Sequence, residues 1–515
     1  MMKLRDFLTL GYFPKELPPC FSSLSFANQV LANQTAIPPA FQNPSRAKLS
    51  RFSFPKAGLI RRRLSLVHPP HFFGLANFVD RNSGPITAHL ATSSISLSSP
   101  VHDPRNLRAL VPKVDFPELA QHKAFVRSKA RVIVQTDLAD FYPTIYSHSI
   151  PWAAHTKAIA KSHQNSPAYW GNTLDKLIRN AQDGQTVGIP IGPDTSLVVA
   201  EIVLSAIDAR ILLNRPRTIG LRHYDDYEMA FTELADAEDA QVELQQLLLE
   251  YELRVNPTKT FVREIPIQFE PAWLYEIREL KFRPKPRGQA TDLIRFFDKI
   301  SEIVLSHRNE HVVRYALSRL SSFVPHQNNW RLYQALLSEA LLVEPGAVFE
   351  YLQNLILCTN FENAVERGLL EPALNLIVEK LTPLGYHYEV AWALWAIIAF
   401  RFNVEAPAAR SIERTENSIL ALLALDAESQ GLIPTGLSKA SWGTRMETRE
   451  LWEEEWLLAY EANVHGWLPS VGAGDHVAAD PCFSFLKNLN VAFYSSVQGP
   501  IILGRWATAL AAAYP

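Results

Sequence analysis

At 515 residues and 47% hydrophobic, the chain exceeds one ordinary domain and can bury substantial cores, so two or three domains are expected. Its net charge of −2 hides an asymmetry: residues 1–290 carry 34 Lys and Arg against 27 Asp and Glu, and residues 291–515 carry 16 against 25. Three scattered cysteines, Cys20, Cys358 and Cys482, argue against a disulfide scaffold or zinc site and suit a reducing cytoplasm, and the longest apolar run, Val390 to Phe400, is too short to span a membrane.

Residues 1 to about 50 read as irregular, because Pro14, Pro18, Pro19, Pro38, Pro39 and Pro44 interrupt any long element. The start lacks the small-residue cleavage site of a signal peptide. Within it, Gly11-Tyr12-Phe13-Pro14 sets a phenol beside a flexible residue. Pro55-Lys56-Ala57-Gly58 then leads into Arg61-Arg62-Arg63-Leu64-Ser65-Leu66, a basic, strand-like run. Alternation along a strand sends Arg61 and Arg63 to one face and Arg62 to the other.

A charged helical segment from Asp115 precedes the β-branched run Arg131 to Thr136, which ends at Asp137. Helical stretches follow, one carrying Lys157, Lys161 and His163 and another running from Asn172 to Gln182. Gly184 to Gly192 forms a turn that opens a helix from Asp194 to Leu213, with Asp194, Thr195 or Ser196 able to cap it. A helix N-terminus beside glycines presents N–H groups to a phosphate or base.

Arg222-His223-Tyr224-Asp225-Asp226-Tyr227 sets two adjacent carboxylates between aromatic residues. Adjacent aspartates in an apolar run repel one another and cost desolvation, so a cation is expected between or before them. The segment reads as strand, tight turn at Asp225-Asp226, and strand. Mg²⁺ takes six oxygens, only one or two of them carboxylate, and Asp137 is the best third carboxylate for a two-metal phosphoryl-transfer site. Beyond lie an amphipathic helix from Asp236 to Tyr251, the Val255-Asn256-Pro257 turn and Lys259.

Phe282 to Gln289 reads as a linker, and helical periodicity dominates afterwards, with Asp292 able to cap the first segment. Helical pairs of about 40 residues suggest a HEAT-like array, with an irregular bundle as the alternative. The alanine-rich end from Asp475 to Pro515 reads as a terminal helix.

Thr136-Asp137-Leu138-Ala139-Asp140-Phe141-Tyr142-Pro143-Thr144-Ile145-Tyr146 resembles the first metal-binding motif of reverse transcriptases. Gly188-Ile189-Pro190-Ile191-Gly192 resembles their next motif, His223-Tyr224-Asp225-Asp226 stands where they carry Tyr-x-Asp-Asp, and Leu253 to Thr260 resembles the one after. Within that superfamily, Tyr146-Ser147-His148-Ser149-Ile150-Pro151-Trp152 and Asn172-Thr173-Leu174-Asp175 look like the bacterial abortive-infection polymerases of the K and P2 types.

The resemblance implies an α+β chain: a reverse-transcriptase-like palm and fingers with an N-terminal arm over residues 1–285, followed by an all-α, HEAT-like domain over 286–515. It implies a DNA polymerase that adds deoxynucleotides by two-metal catalysis in anti-phage abortive infection. Asp137, Asp225, Asp226 and the carbonyl of Leu138 would hold Mg²⁺ or Mn²⁺. Lys259 would give a proton to departing pyrophosphate, with a plain exposed lysine as the alternative. Tyr142 would exclude the 2′-hydroxyl from the sugar pocket. Lys56, Arg61, Arg62, Arg63 and Gly192 would meet the incoming deoxynucleoside triphosphate.

Two departures qualify this. Ile191 stands where templated enzymes carry glutamine, which favours untemplated synthesis, and His223 replaces the usual tyrosine. The family is thought to start synthesis on a protein hydroxyl, so Tyr12 is a priming candidate, with an aromatic that anchors the N-terminal arm to the core as the plainer reading and Tyr142, Tyr146, Tyr224, Tyr227 and Tyr514 as rival phenols. The product is then single-stranded DNA attached to the protein, and the charge asymmetry suits a homo-oligomer. The alternatives are a templated RNA-directed DNA polymerase and a helical scaffold with an inactive polymerase half.

Overall fold

The computed structural model describes residues 2–56, 58–103, 105, 107–164, 166–359 and 364–500. The expected terminal helix past residue 500, and Tyr514 with it, lie outside the described residues. By internal contacts the chain divides into two units, one of Met1–Pro14, Ser23–Leu49 and Ser65–Phe269, the other of Lys15–Ser22, Ser50–Leu64 and Glu270–Pro515.

Two short two-stranded sheets come first along the chain, β1 (Ser50–Pro55) with β2 (Arg61–Leu66) and β3 (Pro100–His102) with β4 (Leu110–Pro112). The first unit is built on a four-stranded sheet of β5 (Val132–Thr136), β6 (Ile219–His223), β7 (Asp226–Phe231) and β8 (Phe261–Glu264). Its spatial order is β6-β7-β5-β8, with every neighbouring pair antiparallel. Helix Thr195–Asn214 lies between β5 and β6 in the chain, and helix Leu234–Glu250 between β7 and β8. The order is that of a split βαββαβ unit. The chain is therefore mixed α/β.

Alternation divides the sheet into two faces. Ile133, Leu221 and Ala230 pack with Leu119 and Val126 of helix Phe116–Arg127. The same face buries the ion pair of Arg127 with Glu228, to which Gln135 adds a hydrogen bond of 3.0 Å. On the opposite face Tyr227 bonds Asp208 of helix Thr195–Asn214, and Thr136 bonds Gln241 of helix Leu234–Glu250.

The second unit is helical. From Glu270 onward each long helix packs on its sequence neighbour or on the next but one, because each presents an apolar stripe too wide for a single partner. Pro286–Ser306, Trp330–Val343, Arg367–Leu381 and Ala406–Ile412 follow one another in this way. So do Val312–Arg319, Val348–Thr359, His387–Ala399, Ser418–Ser429 and Trp456–Val464. His387–Ala399 is buried on nearly all sides, including Trp392 and Trp395, which accounts for the apolar run seen in the sequence. Among the described residues no helix is long and apolar enough to cross a membrane.

Several local expectations change. Helix Pro286–Ser306 starts within the stretch read as a linker, with proline at its first turn, where the missing N–H costs nothing. Asp292 caps nothing and instead grips Arg283. The N-terminal stretch carries the short helix that Ser25 to Ala32 suggests, as Leu24–Ala32, and is less irregular than its prolines suggest, since Leu4–Leu10 is helical as well.

Candidate functional site

The hairpin of β6 and β7 turns through Tyr224 and Asp225, one residue earlier than the sequence suggested, and Asp226 is already the first residue of β7, opposite His223. Tyr224 takes the left-handed conformation at φ 53°, which supplies the twist that a two-residue hairpin requires. Thr136 pairs with Tyr227 across β5 and β7, and Gln135 pairs with Phe261 across β5 and β8. Carried one step beyond β5, the first register sets Asp137 in one row with Asp226, and Lys259, the last residue of the 3-10 turn Pro257–Lys259 before β8, reaches that row.

Side-chain geometry follows that row. Lys259 Nζ lies 2.8 Å from one Asp137 carboxylate oxygen, and Asn256 Nδ2 donates to the other at 3.1 Å. Asn256 N–H also donates to the Asp137 carbonyl at 2.7 Å, and Ala139 N–H to the Arg254 carbonyl at 2.8 Å. Leu138 faces Val255 between those two bonds, a position whose own N–H and C=O point away from the paired segment.

Asp137 is buried, whereas Asp226 keeps accessible surface although protein atoms crowd it. Desolvation first, then the charges of Asp225 and Asp137, push the Asp226 carboxyl up to about 7 against the pull of Lys259. Burial would lower the Lys259 ammonium, but its bond to Asp137 and the charges of Asp226 and Asp225 outweigh that and raise it. Three carboxylates therefore share one exposed ammonium. Among the described residues no three His, Cys, Asp or Glu side chains are drawn into a closed metal cage, because Lys259 already takes the place of a counter-ion beside Asp137. The donors are all oxygen and in charge excess, which suits a hard divalent cation at the open side of the pair.

Sequence reasoning missed what holds the turn from behind. Arg222, on the other face of the sheet, is fully buried and forks onto Glu201 and Asp208 at 2.7 to 3.1 Å. It also donates to the Tyr224 carbonyl at 2.8 Å, while Ser98 Oγ accepts the Tyr224 N–H at 2.7 Å and donates to Glu201 at 2.8 Å. Burial opposes charge on Arg222, yet Asp208 and Glu201 hold its pKa well above the ordinary value. The one available signal was Arg222 itself, a permanent cation directly before the aspartates in an apolar strand.

Other expected site residues stand elsewhere or do other work. Tyr12 is completely buried, stacked on Phe72 at 4.1 Å, with its hydroxyl donating to the Val67 carbonyl at 2.5 Å; burial pushes the phenol well above its usual range. The flexible, accessible phenol expected of a primer is absent there, because Phe13, Phe26 and Phe72 enclose the ring. Arg61 is committed within the second unit: its fork binds Glu389 at 2.5 and 2.7 Å, and its guanidinium stacks on Tyr386 at 4.1 Å. That occupies one of the guanidinium groups expected to meet a triphosphate. Arg62 and Arg63 are exposed on the same strand, and Lys56 is half-buried with its N–H closing the β1–β2 turn onto Ile60.

Gly192 sits at φ 128°, and a Cβ there would meet the Pro14 ring at 2.7 Å, so this glycine serves close packing. Asp194, Thr195 and Ser196 are buried, and none caps the helix; Asp194 binds Arg108 and the N–H groups of Ala109 and Leu110 instead. The expected open row of N–H groups is thus closed by the protein's own packing. His223 is buried with Nε2 3.1 Å from the Val114 carbonyl, a packing position and no primer contact. Tyr142 is half-buried at the start of the segment that follows Asp137, its carbonyl accepting from Ile189 N–H at 3.0 Å.

No protein-family model matches the chain, and no curated protein does. Among solved structures it is similar to telomerase from Candida albicans in complex with a fragment of telomeric RNA, at a TM-score of 0.30 and 11% identity over 72% of this chain and 68% of that one. At that score the likeness says nothing of what this chain binds or does.

Proposed function

We propose that the chain is a nucleotidyltransferase of reverse-transcriptase type that joins deoxynucleotides to a hydroxyl by two-metal catalysis. One observation carries this reading: Asp226 and Asp137 lie side by side at one end of the sheet with Lys259 bonded to Asp137 and Asp225 in the adjoining turn. Asp137, Asp225, Asp226 and the Leu138 carbonyl would hold Mg²⁺ or Mn²⁺, which when bound supplies polarisation of the attacking hydroxyl and charge neutralisation at the leaving phosphates. Lys259, kept protonated by the same carboxylates, gives its proton to the departing pyrophosphate. Asn256 and the Asp137 backbone bond hold that carboxylate in one orientation. Tyr142 lies five residues from Asp137 and selects the deoxy sugar.

Untemplated synthesis is favoured by Ile191, which lacks the amide of a template-gripping glutamine. Protein priming, attachment of single-stranded DNA and a setting in anti-phage abortive infection rest on the motif resemblance, as does a homo-oligomer built on a HEAT-like helical half. The priming phenol needs solvent and reach, so Tyr12 gives way to the half-buried Tyr146 and Tyr224.

The test incubates the purified chain with labelled deoxynucleotides and Mg²⁺, with and without a homopolymer template, and resolves it on a denaturing protein gel. The expected result is label retained on the protein, of the same composition with or without template, and lost to background in Asp137→Asn and in Asp225→Asn with Asp226→Asn. Full incorporation by Asp137→Asn overturns the carboxylate assignment. Products complementary to the template establish the templated alternative, and label free of protein removes priming on this chain.

A further inference from the structure

Between Phe141 and Leu174 the chain runs 34 residues without one Asp or Glu, although carboxylates make up 52 of its 515 residues and about three would be expected there. In the same run stand Tyr142, Tyr146, Trp152, Tyr169 and Trp170, three histidines, and the exposed Lys157 and Lys161. Aromatic clusters usually pack cores. Here Tyr142, Tyr146, Tyr169 and Trp170 all keep part of their surface in solvent.

The rings form two clusters that share helix Ser149–His155, one at Trp152 and one at His155. Tyr146 meets His148 at 5.0 Å and Trp152 at 5.6 Å, both edge-on, and Lys157 Nζ sits 4.0 Å above the Trp152 ring. His155 meets both Tyr169 and Trp170 at 5.3 Å, and His163 meets Tyr169 at 4.5 Å. Thr156, between helices Ser149–His155 and Lys157–Ser162, is held at φ 74°, which a β-branched residue adopts only under constraint. That break separates the two helices immediately before Lys157, and such strain gathers where function needs a fixed side chain. Along the chain the segment follows the first carboxylate closely: Tyr142 lies five residues beyond Asp137, and Tyr146 bridges Val187 in the turn before helix Thr195–Asn214. Asp175, the first carboxylate after the run, is buried and taken up by His148 and Arg179.

We propose that this segment is a track for single-stranded DNA, with bases stacking on the exposed ring surfaces of Tyr146 and Tyr169 and phosphates meeting Lys157 and Lys161. Sequence-tolerant strand binding combines stacking platforms with cations that meet phosphates, and this segment supplies both with no carboxylate of its own. Naming the strand as the enzyme's own product rests on the polymerase reading; the binding itself does not.

The experiment measures fluorescence anisotropy of a labelled oligo(dT) with the full chain, without Mg²⁺ or nucleotide, over a series of salt concentrations. Lys157→Glu with Lys161→Glu is expected to weaken binding at least tenfold and to flatten the salt slope by about 1.4, two phosphate contacts at about 0.7 each on a single strand. Lys157→Arg with Lys161→Arg should bind as wild type. Tyr169→Leu should lose about fivefold or more and Tyr169→Phe nothing, since only the former removes the stacking face. Thermal melting of each variant shows that the fold is kept. Unchanged affinity and slope in the double glutamate variant overturn the track, and so does polyglutamate of equal charge displacing the oligonucleotide as well as DNA does. Asp137→Asn should bind the oligonucleotide while failing to incorporate; wild type that binds the oligonucleotide but incorporates no deoxynucleotide would sink the polymerase reading and leave the track standing.

Discussion

Two charge assemblies occupy opposite faces of the same sheet, and they are built on opposite terms. Behind the turn, Arg222 is closed in with Glu201 and Asp208, and Ser93, Ser96, Ser98 and Tyr227 fill the remaining oxygen lone pairs. In front, Asp137, Asp225 and Asp226 share Lys259, whose side chain is 59% exposed. A guanidinium buried between two carboxylates cannot leave without stranding them, so its counter-charge is permanent. An ammonium at the surface can be exchanged for another cation at little cost. The comparison separates a cluster that holds the hairpin in place from one that can take up a ligand-borne charge.

The largest expected effect tests the closed assembly. Arg222→Met should lower stability by about 3–5 kcal/mol, read as a fall in the urea midpoint, because Glu201 and Asp208 are left buried and unpaired. A loss under about 1 kcal/mol would mean that the two carboxylates find another counter-charge and that the cluster is not closed. The open assembly should answer differently. Lys259→Ala is expected to change stability by less than about 1 kcal/mol, since the ammonium is mostly exposed and Asn256 still bonds Asp137, while nucleotide incorporation falls about a hundredfold. Equal loss of stability in the two variants would erase the distinction.

The smallest effect concerns pH. Asp226 rises from an ordinary carboxylate value of 3.8 to about 7 in the folded chain. A proton held more tightly by the folded state stabilises it fully below about pH 4, and that contribution is lost as pH rises through 7. Metal-free wild type should therefore lose stability relative to Asp226→Asn between pH 5 and 8, by about 1 kcal/mol or less once solvent screening at this exposed residue is allowed for. Glu350 and Glu455, also pushed up to about 7 by burial, act in the same sense in both proteins and cancel in the comparison. Added Mg²⁺ should close the gap at pH 8. A melting-temperature difference that stays flat across this range would show that Asp226 ionises freely.

What the sequence by itself determined lies within short windows. The β-branched run ending at Asp137, the turn before Tyr227, the helix Thr195–Asn214 and the helical character beyond Gln289 were legible because alternation, turn chemistry and helical spacing act over about 5 to 20 residues. The pair of aspartates flanked by apolar residues was legible as a charge problem needing a cation. Only the tertiary structure decided how that problem is met. Lys259 reaches Asp137 across 122 residues through the β5–β8 register, and Ser98 meets the Tyr224 N–H across 126. Burial likewise depends on what packs where: Tyr12 looked accessible beside a glycine, but three phenylalanine rings from two helices and the neighbouring residue enclose it. Arg61 looked available for phosphate, yet Glu389, 328 residues away, holds its fork. Local signals report which elements form, whereas ion pairs and burial follow from how those elements meet, and no window of sequence contains both partners.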